Sequence, residues 1–153
     1  MEVPVLDNIY KHCDNHEITM GIYLDLQKAF DTVNHLILLK KLNIYGVRGT
    51  VLKWFTSYLS NRKQYVTMKN YESAFKTVNC GVPQKLVLGP LLFLIYVNDI
   101  QYAVSDAKLK LFADNTNLFL HDSVLTKLFS TANTCMSQLC DWFKVKNIKF
   151  KFG

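Results

Sequence analysis

The sequence lacks paired cysteines and any apolar run long enough to cross a bilayer. Its four cysteines form no CxxC pair. His12, Cys13 and His16 lie close together, but no second cluster of ligands completes a tetrahedral zinc site. Reduced thiols in an intracellular protein are therefore favoured over a disulfide or metal scaffold. The longest apolar run, residues 87–97, is shorter than a membrane span and contains a glycine and a proline.

Internal repeats, low-complexity tracts and linkers are also absent. No charged N-terminal region precedes an apolar core, so we expect no secretion signal, no membrane partner and a location in the cytoplasm or nucleus. Acidic residues are fewer than basic ones, 12 against 18, and the net charge of +6 favours an anionic partner, with nucleic acid the first candidate. That signal is weak, because many basic domains are merely soluble. The length of 153 residues predicts one domain with a substantial core.

The order of the predicted elements indicates an α+β fold, with one sheet and helices on one face. Dense apolar residues at 18–26 predict a buried strand that ends at Asp25. Period-two alternation on both sides of Asp114 and Asn115 predicts a β-hairpin with an acidic tip. The other predictions are helices at 1–16, 31–46, 50–64, 90–103 and 123–143, paired strands around Tyr71-Glu72, and a last strand at 149–152.

Asp25 and Asp114 share a setting, because each ends or turns a strand that is otherwise apolar. A carboxylate in such a place is costly unless it is hydrogen-bonded or its charge is compensated. If the two strands are neighbours, both carboxylates lie at one edge and can hold magnesium, which prefers oxygen ligands. Two such ions support in-line phosphoryl transfer. By spacing alone the alternative stays open and is favoured, with Asp25 a strand-end cap and Asp114 a turn residue.

Three stretches occur in order and carry a resemblance to a known family. "YLDLQKAFDTVNH" (23–35), "GVPQKLVLGPLLF" (81–93) and "LFADNTNLF" (111–119) resemble the central motifs of reverse transcriptases from non-long-terminal-repeat (LINE-like, Jockey-type) retrotransposons. "SYLSNRKQYV" (57–66) is similar to the segment between the first two motifs, and "CDWFKVKNIKF" (140–150) to the segment after the third. Three ordered motifs with matching spacers indicate common ancestry over nearly the whole chain.

The resemblance implies a polymerase palm, a ferredoxin-like antiparallel sheet with helices packed on one face. It places residues 1–153 in a single partial reverse transcriptase domain. The implied activity is RNA-templated DNA synthesis by two-metal nucleotidyl transfer, with Mg²⁺, or alternatively Mn²⁺, as the cofactor. The implied partners are an RNA template, a DNA primer and deoxynucleoside triphosphates.

By the same resemblance, Asp25 and Asp114 are catalytic residues and metal ligands. The Leu26 carbonyl and Asn115 belong to the same metal-binding set. Phe30 takes the position of the steric gate that presses on the sugar 2′ position of the incoming nucleotide. The loop that lines nucleotide and template contributes Gly81, Pro83 and Gln84. The residues placed near the nucleic-acid path are Arg62, Lys63, Gln64 and Lys85, although the first three also suit an ordinary solvated helix end.

The chain departs from the family pattern in three respects. Asn115 stands where the family has a second aspartate, and an amide keeps one oxygen acceptor but loses the charge. Lys85 stands where the family has glycine, and its long side chain contacts a phosphate or obstructs a crowded point. We also expect incomplete fingers and no thumb. Together these departures predict an impaired polymerase.

Whether the chain is an enzyme therefore stays open. The alternative is a non-catalytic nucleic-acid-binding remnant or a decayed retrotransposon open reading frame, which the basic charge and the lost acid also suit. A further alternative is that the piece does not fold alone.

Overall fold

The structure, a computed structural model, describes residues 3–84, 87–104, 107–112 and 115–152. The chain divides into two compact units. The sheet unit lies within residues 1–27, 99–145 and 149–153, and the helical unit lies within residues 28–98 and 146–148. The single domain expected over residues 1–153 stays a prediction.

Helices and strands alternate along the chain. The helices are α1 (Val3–Asp14), α2 (His35–Ile44), α3 (Gly49–Leu59), α4 (Leu88–Val97) and α5 (Leu125–Lys146). The strands are β1 (Ile18–Gln27), β2 (Arg62–Gln64), β3 (Thr67–Met68), β4 (Tyr71–Glu72), β5 (Lys76–Val78), β6 (Lys108–Phe112), β7 (Asn115–Asp122) and β8 (Lys149–Phe152). Short 3₁₀ helices occupy Ala29–Thr32 and Asn98–Tyr102. Within the described residues, no helix is both long and apolar enough to cross a membrane.

Four strands of the sheet unit form one antiparallel sheet in the order β6-β7-β1-β8. The predicted hairpin is confirmed for its described part, because β6 pairs with β7 as far as Phe112↔Asn115. Strand β1 is an inner strand: Asp25 is the Cα partner of Asn115 on β7 and of Lys151 on β8. The expected mixture of helices with an antiparallel sheet is therefore present.

Strand β1 is buried on one face only. Leu24 and Leu26 are 1% and 2% exposed, whereas Tyr23 is 57% exposed and Asp25 is exposed as well. The strand continues to Gln27, so the prediction of a buried strand that ends at Asp25 is wrong in both respects. The physical reason is that an antiparallel sheet can leave one face in water even where the sequence of a strand is densely apolar.

Helix α5 supplies much of the core of the sheet unit. Its buried apolar positions are Leu128, Ala132, Cys135, Leu139 and Phe143. The Phe143 ring lies 4.8 Å, centroid to centroid, from the Phe150 ring on β8. At the start of the helix, the Asp122 carboxylate accepts the Val124 N–H at 2.9 Å, and this bond lowers the pKa of Asp122 below its ordinary value. This bond fixes the backbone one residue before the helix begins.

Two buried lysines surround Tyr96 in the core of the helical unit. Lys41 and Lys146 are 8% and 7% exposed, and each ammonium nitrogen lies 5.7 Å from the centroid of the Tyr96 ring. Lys41 also donates to the Tyr96 carbonyl, and the Tyr96 hydroxyl donates to the Lys146 carbonyl at 2.7 Å. A buried ammonium group is tolerated only with such compensation, which the carbonyl oxygen and the ring face provide.

Helix α2 is shorter than the helix predicted over 31–46. It begins at His35 because the Asn34 side chain accepts two N–H groups of the first turn. It ends at Ile44, and Gly46 adopts a φ of +90°, the left-handed conformation that commonly follows the end of a helix.

Residues 62–78 form two small antiparallel pairs rather than one hairpin. Strand β2 pairs with β5, and β3 pairs with β4. Tyr71 and Glu72, predicted at the turn, instead pair with Met68 and Thr67. Alternation alone does not reveal which residues of such a segment pair, so the predicted turn was misplaced.

Gly89 marks a close approach between a loop and a helix in the helical unit. Helix α4 begins at Leu88, two residues ahead of the predicted start at Pro90. A Cβ atom added at Gly89 would overlap the Pro83 carbonyl oxygen. The loop therefore rests directly on the helix backbone, a contact that any side chain at position 89 would prevent.

Gly89→Ala should destabilise the protein by about 3 kcal/mol, because the steric clash outweighs the roughly 1 kcal/mol by which alanine is favoured over glycine inside a helix. Gly46→Ala is the matched control: no atom lies within 4 Å of its added Cβ, and the positive φ alone costs about 1 kcal/mol. Urea unfolding measures both changes. Equal losses for the two variants would contradict the close approach at Gly89.

Candidate active site

The exposed end of β1 presents one acidic side chain. Asp25 lies beside Asn115 of β7 in the β-sheet register and follows the buried Leu24. Among the described residues, none forms a hydrogen bond or an ion pair with the Asp25 carboxylate. An exposed carboxylate without a protein partner keeps its oxygen lone pairs available for a ligand.

Two predicted site residues, Asp114 and Lys85, lie outside the described residues. Asp114 directly precedes Asn115 in the sequence, and Asn115 is the Cα partner of Asp25. The structure therefore places the first residue of β7 beside Asp25, while the role of Asp114 stays a prediction. The Leu26 side chain is buried on the opposite face of β1, and the metal-binding role of its carbonyl stays a prediction.

Sequence reasoning missed Lys151 as a neighbour of this acid. Lys151 is the Cα partner of Asp25 on β8, and directly opposed residues of antiparallel strands project their side chains to the same face. Lys151 is exposed, as Asp25 is. The alternation of lysine and phenylalanine in "KFKF" was the available signal, but alternation does not reveal the partner strand.

The helical unit contains a separate cleft of about 370 Å³. Its charged lining consists of Lys28, Asp31 and Arg62. The remaining lining residues are Gln64, Thr77, Val78, Asn79, Cys80, Gly81 and Val82. With two cationic side chains against one carboxylate, the cleft carries a net positive charge and suits an anionic group.

The loop that carries Gly81 is held by four hydrogen bonds. The Gly81 N–H donates to the Val33 carbonyl and the Val82 N–H donates to the Phe30 carbonyl, each at 2.8 Å. The Gly81 carbonyl accepts from Arg62 Nη1 at 3.1 Å and from His35 Nε2 at 2.8 Å. His35 must therefore carry its proton on Nε2, because a carbonyl oxygen can only accept.

Position 81 also requires glycine because of its backbone conformation and its close contact with another segment. Its φ is +87°, and an added Cβ would lie 2.9 Å from the Asp31 Cα and carbonyl oxygen. This close approach brings the loop against the short 3₁₀ helix of residues 29–32. The arrangement fixes the backbone at the mouth of the cleft without any side chain at position 81.

Comparison with known families matches residues 3–152 to the family described as reverse transcriptase (RNA-dependent DNA polymerase). The chain belongs to the reverse transcriptase family. It corresponds to a fragment of the reverse transcriptase domain of retrotransposon polymerases, which confirms the resemblance seen in its three ordered motifs.

Curated relatives cover most of the chain at modest identity. The chain is 27% identical over 143 residues to the RNA-directed DNA polymerase from mobile element jockey of Drosophila melanogaster, covering 89% of this chain and 16% of that protein. It is 29% identical over 150 residues to the probable RNA-directed DNA polymerase from transposon BS of the same fly, covering 90% and 16%. It is 27% identical over 135 residues to the Pol polyprotein of the type-1 retrotransposable element R1 of Bradysia coprophila, covering 86% and 13%.

The cleft brings together only some of the residues that the reverse transcriptase resemblance assigns to nucleotide or nucleic acid. Gly81, Arg62 and Gln64 line it, whereas Lys63, Pro83 and Gln84 do not. Arg62 and Gln64 are two residues apart on β2 and so project to the same face, while Lys63 projects to the other.

Phe30, the predicted steric gate of the reverse transcriptase, is half-buried against α4. Its ring lies 4.8 Å from the Phe93 ring, centroid to centroid. Because the Phe93 ring is fully buried, packing against it restricts the rotamers of Phe30. A gating side chain requires such a restriction. The gating role itself stays a prediction.

Sequence reasoning missed Lys28 and Asp31 as lining residues. Both lie inside the first quoted motif, between Asp25 and Val33, and their charge was the available signal. Lys28 adopts a left-handed conformation, with a φ of +49°, between the end of β1 and the start of the 3₁₀ helix.

Arg62→Ala should loosen the Gly81 loop. Loss of a charged donor to the Gly81 carbonyl removes about 1.5 kcal/mol, which corresponds to roughly tenfold faster hydrogen exchange at the Gly81 and Val82 amides. Lys63→Ala is the matched control, because Lys63 is exposed and lies outside the cleft lining. Unchanged exchange in Arg62→Ala, or equal acceleration in both variants, would contradict the clamping role of Arg62.

Proposed function

We propose that this chain forms part of the palm of a reverse transcriptase and contributes to RNA-templated DNA synthesis. The observation that carries the proposal is the β1–β7 register, which pairs Asp25 with Asn115, the residue directly after Asp114. A polymerase palm requires carboxylates from two neighbouring strands at one sheet edge. An antiparallel sheet with Asp25 on an inner strand supports that arrangement.

The residues at this strand end suit Mg²⁺, with Mn²⁺ as the alternative. The Asp25 carboxylate is exposed and free of protein partners among the described residues, and oxygen ligands are those that Mg²⁺ prefers. We propose Asp25, Asp114, the Leu26 carbonyl and the Asn115 amide oxygen as the binding set. When bound, such ions stabilise the charge that develops on the transferred phosphoryl group.

The proposed substrates are deoxynucleoside triphosphates, with an RNA template and a DNA primer as partners. The primer 3′-hydroxyl attacks the α-phosphate, the new phosphodiester bond forms and pyrophosphate leaves. We propose that Phe30 excludes a 2′-hydroxyl, that Gly81, Pro83 and Gln84 border nucleotide and template, and that Arg62, Lys63, Gln64 and Lys85 attract the phosphate backbone. An intracellular location, where these substrates occur, belongs to the same proposal.

Asn115 lowers the expected rate. Two unit charges ~4 Å apart at an effective dielectric of 20 interact by roughly 4 kcal/mol. Replacing one carboxylate near the metals with an amide can therefore raise the barrier by ~2–4 kcal/mol, or about 30- to 1000-fold in rate. The exposed Lys151 on the other side of Asp25 brings a positive charge to this strand end.

Asn115→Asp should raise primer extension on an RNA template by about 30- to 1000-fold, because it restores the missing charge. Asp25→Asn, which keeps the shape of the side chain, should abolish extension in both backgrounds. Asp141→Asn is the matched control, since Asp141 is an exposed acid on α5 that pairs with Lys144. Extension is measured with labelled primer and deoxynucleoside triphosphates in Mg²⁺ and again in Mn²⁺.

Extension by neither the unsubstituted chain nor the Asn115→Asp variant would refute the enzymatic proposal for this chain. Activity that survives Asp25→Asn would refute the assigned metal ligand.

A second candidate function is non-catalytic nucleic-acid binding by a decayed retrotransposon product. Asn115 and Lys151 on both sides of Asp25 favour it, because both reduce the negative charge that a metal pair needs. In that case RNA binding persists without extension and weakens steeply as salt rises from 50 to 200 mM, by about 10³-fold if six phosphates are neutralised. Binding that does not respond to salt would contradict this function.

A further inference from the structure

The turn after α1 brings together two side chains that can bind a metal. The Glu17 N–H donates to the His12 carbonyl and the His16 N–H donates to the Cys13 carbonyl, both at 2.9 Å. His16 adopts a φ of +58°. These features define a Schellman motif, in which the residues at the positions of His12 and Glu17 ordinarily make a hydrophobic contact.

In this chain that contact is polar. His12 Nδ1 lies 2.6 Å from Glu17 Oε2, and the two side chains are 14% and 31% exposed. A histidine and a glutamate thus occupy a place where apolar side chains are usual, which indicates a use for their ligating atoms.

Strand β7 contributes a third ligating side chain. His121 pairs with Thr19 in the register of the sheet, two residues from Glu17. Its ring stacks on the His12 ring at a centroid distance of 3.5 Å and an interplanar angle of 23°. One ligating atom from each of His12, Glu17 and His121 lies within 4.8 Å of the other two.

Two imidazoles and one carboxylate are a donor set typical of zinc. Bond lengths of about 2.0–2.2 Å to Zn²⁺ place tetrahedral ligands roughly 3.3–3.5 Å apart. The 4.8 Å limit on the three separations exceeds this spacing by about 1.4 Å, and the 2.6 Å between His12 Nδ1 and Glu17 Oε2 falls about 0.8 Å short of it. Zinc binding therefore requires rotamer changes in these side chains.

The surroundings of His121 disfavour the protonated form of its ring. Burial, His12 and Lys108 lower the pKa of His121, while Glu17 and Asp122 act in the opposite direction, and the net result is a pKa below the ordinary value. A lowered pKa favours the unprotonated ring, which is the form of imidazole that binds metals.

We propose that His12, Glu17 and His121 bind one Zn²⁺ ion, with a fourth position for water. The ion then links α1 to the four-stranded sheet. This site is separate from the acidic strand end. Thr19 and Asp25 are six residues apart on β1, which corresponds to roughly 20 Å along the strand.

The test is isothermal titration calorimetry. The full chain is first stripped of metal with EDTA and is then titrated with Zn²⁺ alone at pH 7.5. We expect saturable binding of one Zn²⁺ per chain. His12→Gln and His121→Gln should each weaken binding by at least about tenfold. His16→Asn and Cys13→Ser are matched controls from the same turn, and they should leave the affinity unchanged.

A measurement on the unsubstituted chain covers the case in which a variant fails to fold. Zn²⁺ should slow modification of His12 and His121 by diethyl pyrocarbonate, read by mass spectrometry, and leave His16 and His35 unchanged. Absence of saturable binding, protection of His16 instead of His121, or loss of affinity in Cys13→Ser alone would each overturn the proposal.

Discussion

Strand β1 is paired on both sides, with β7 along its length and with β8 at its C-terminal end. Leu24 and Leu26 lie on the buried face of β1 at this end, and together they favour a single register. A slip of one residue would bury Tyr23 and Asp25 and expose both leucines. Full burial of each leucine contributes about 1.5–3 kcal/mol, so the slipped register is strongly disfavoured.

This register determines what lies at both ends of the strand. At one end, Asp25 is placed between Asn115 and Lys151. At the other end, Thr19 is placed beside His121, and the turn that precedes β1 carries Glu17. The proposed active site and the proposed zinc site thus depend on the same pairing of β1 with β7 but use different side chains. Either site can therefore be absent without the other.

Close backbone contacts at two glycines help to position the loop of residues 81–84 in the helical unit. Gly81 and Gly89 each allow a loop to approach another segment more closely than a Cβ permits. The Gly81 carbonyl then accepts from both Arg62 and His35. A cationic side chain that lines the cleft is therefore also one that holds the loop, and charge and rigidity at the cleft are coupled.

Family membership, the hairpin and most of the helical segments followed from the sequence, because each depends on local periodicity or on short motifs. The exposed face of β1 did not, and neither did strand β2, which lies within the helix predicted over 50–64. Asn115 and Lys85 could likewise be recognised as departures from the family pattern by reading alone. Pairing between distant segments decided the rest. It places Lys151 beside Asp25 and His121 beside His12, and it brings the loop against Gly89. It also pairs β2 with β5, so that Arg62 and Gln64 line the cleft and Lys63 does not. These relations depend on which strands become neighbours and in which register, and burial of apolar side chains selects that arrangement only when the whole chain has folded.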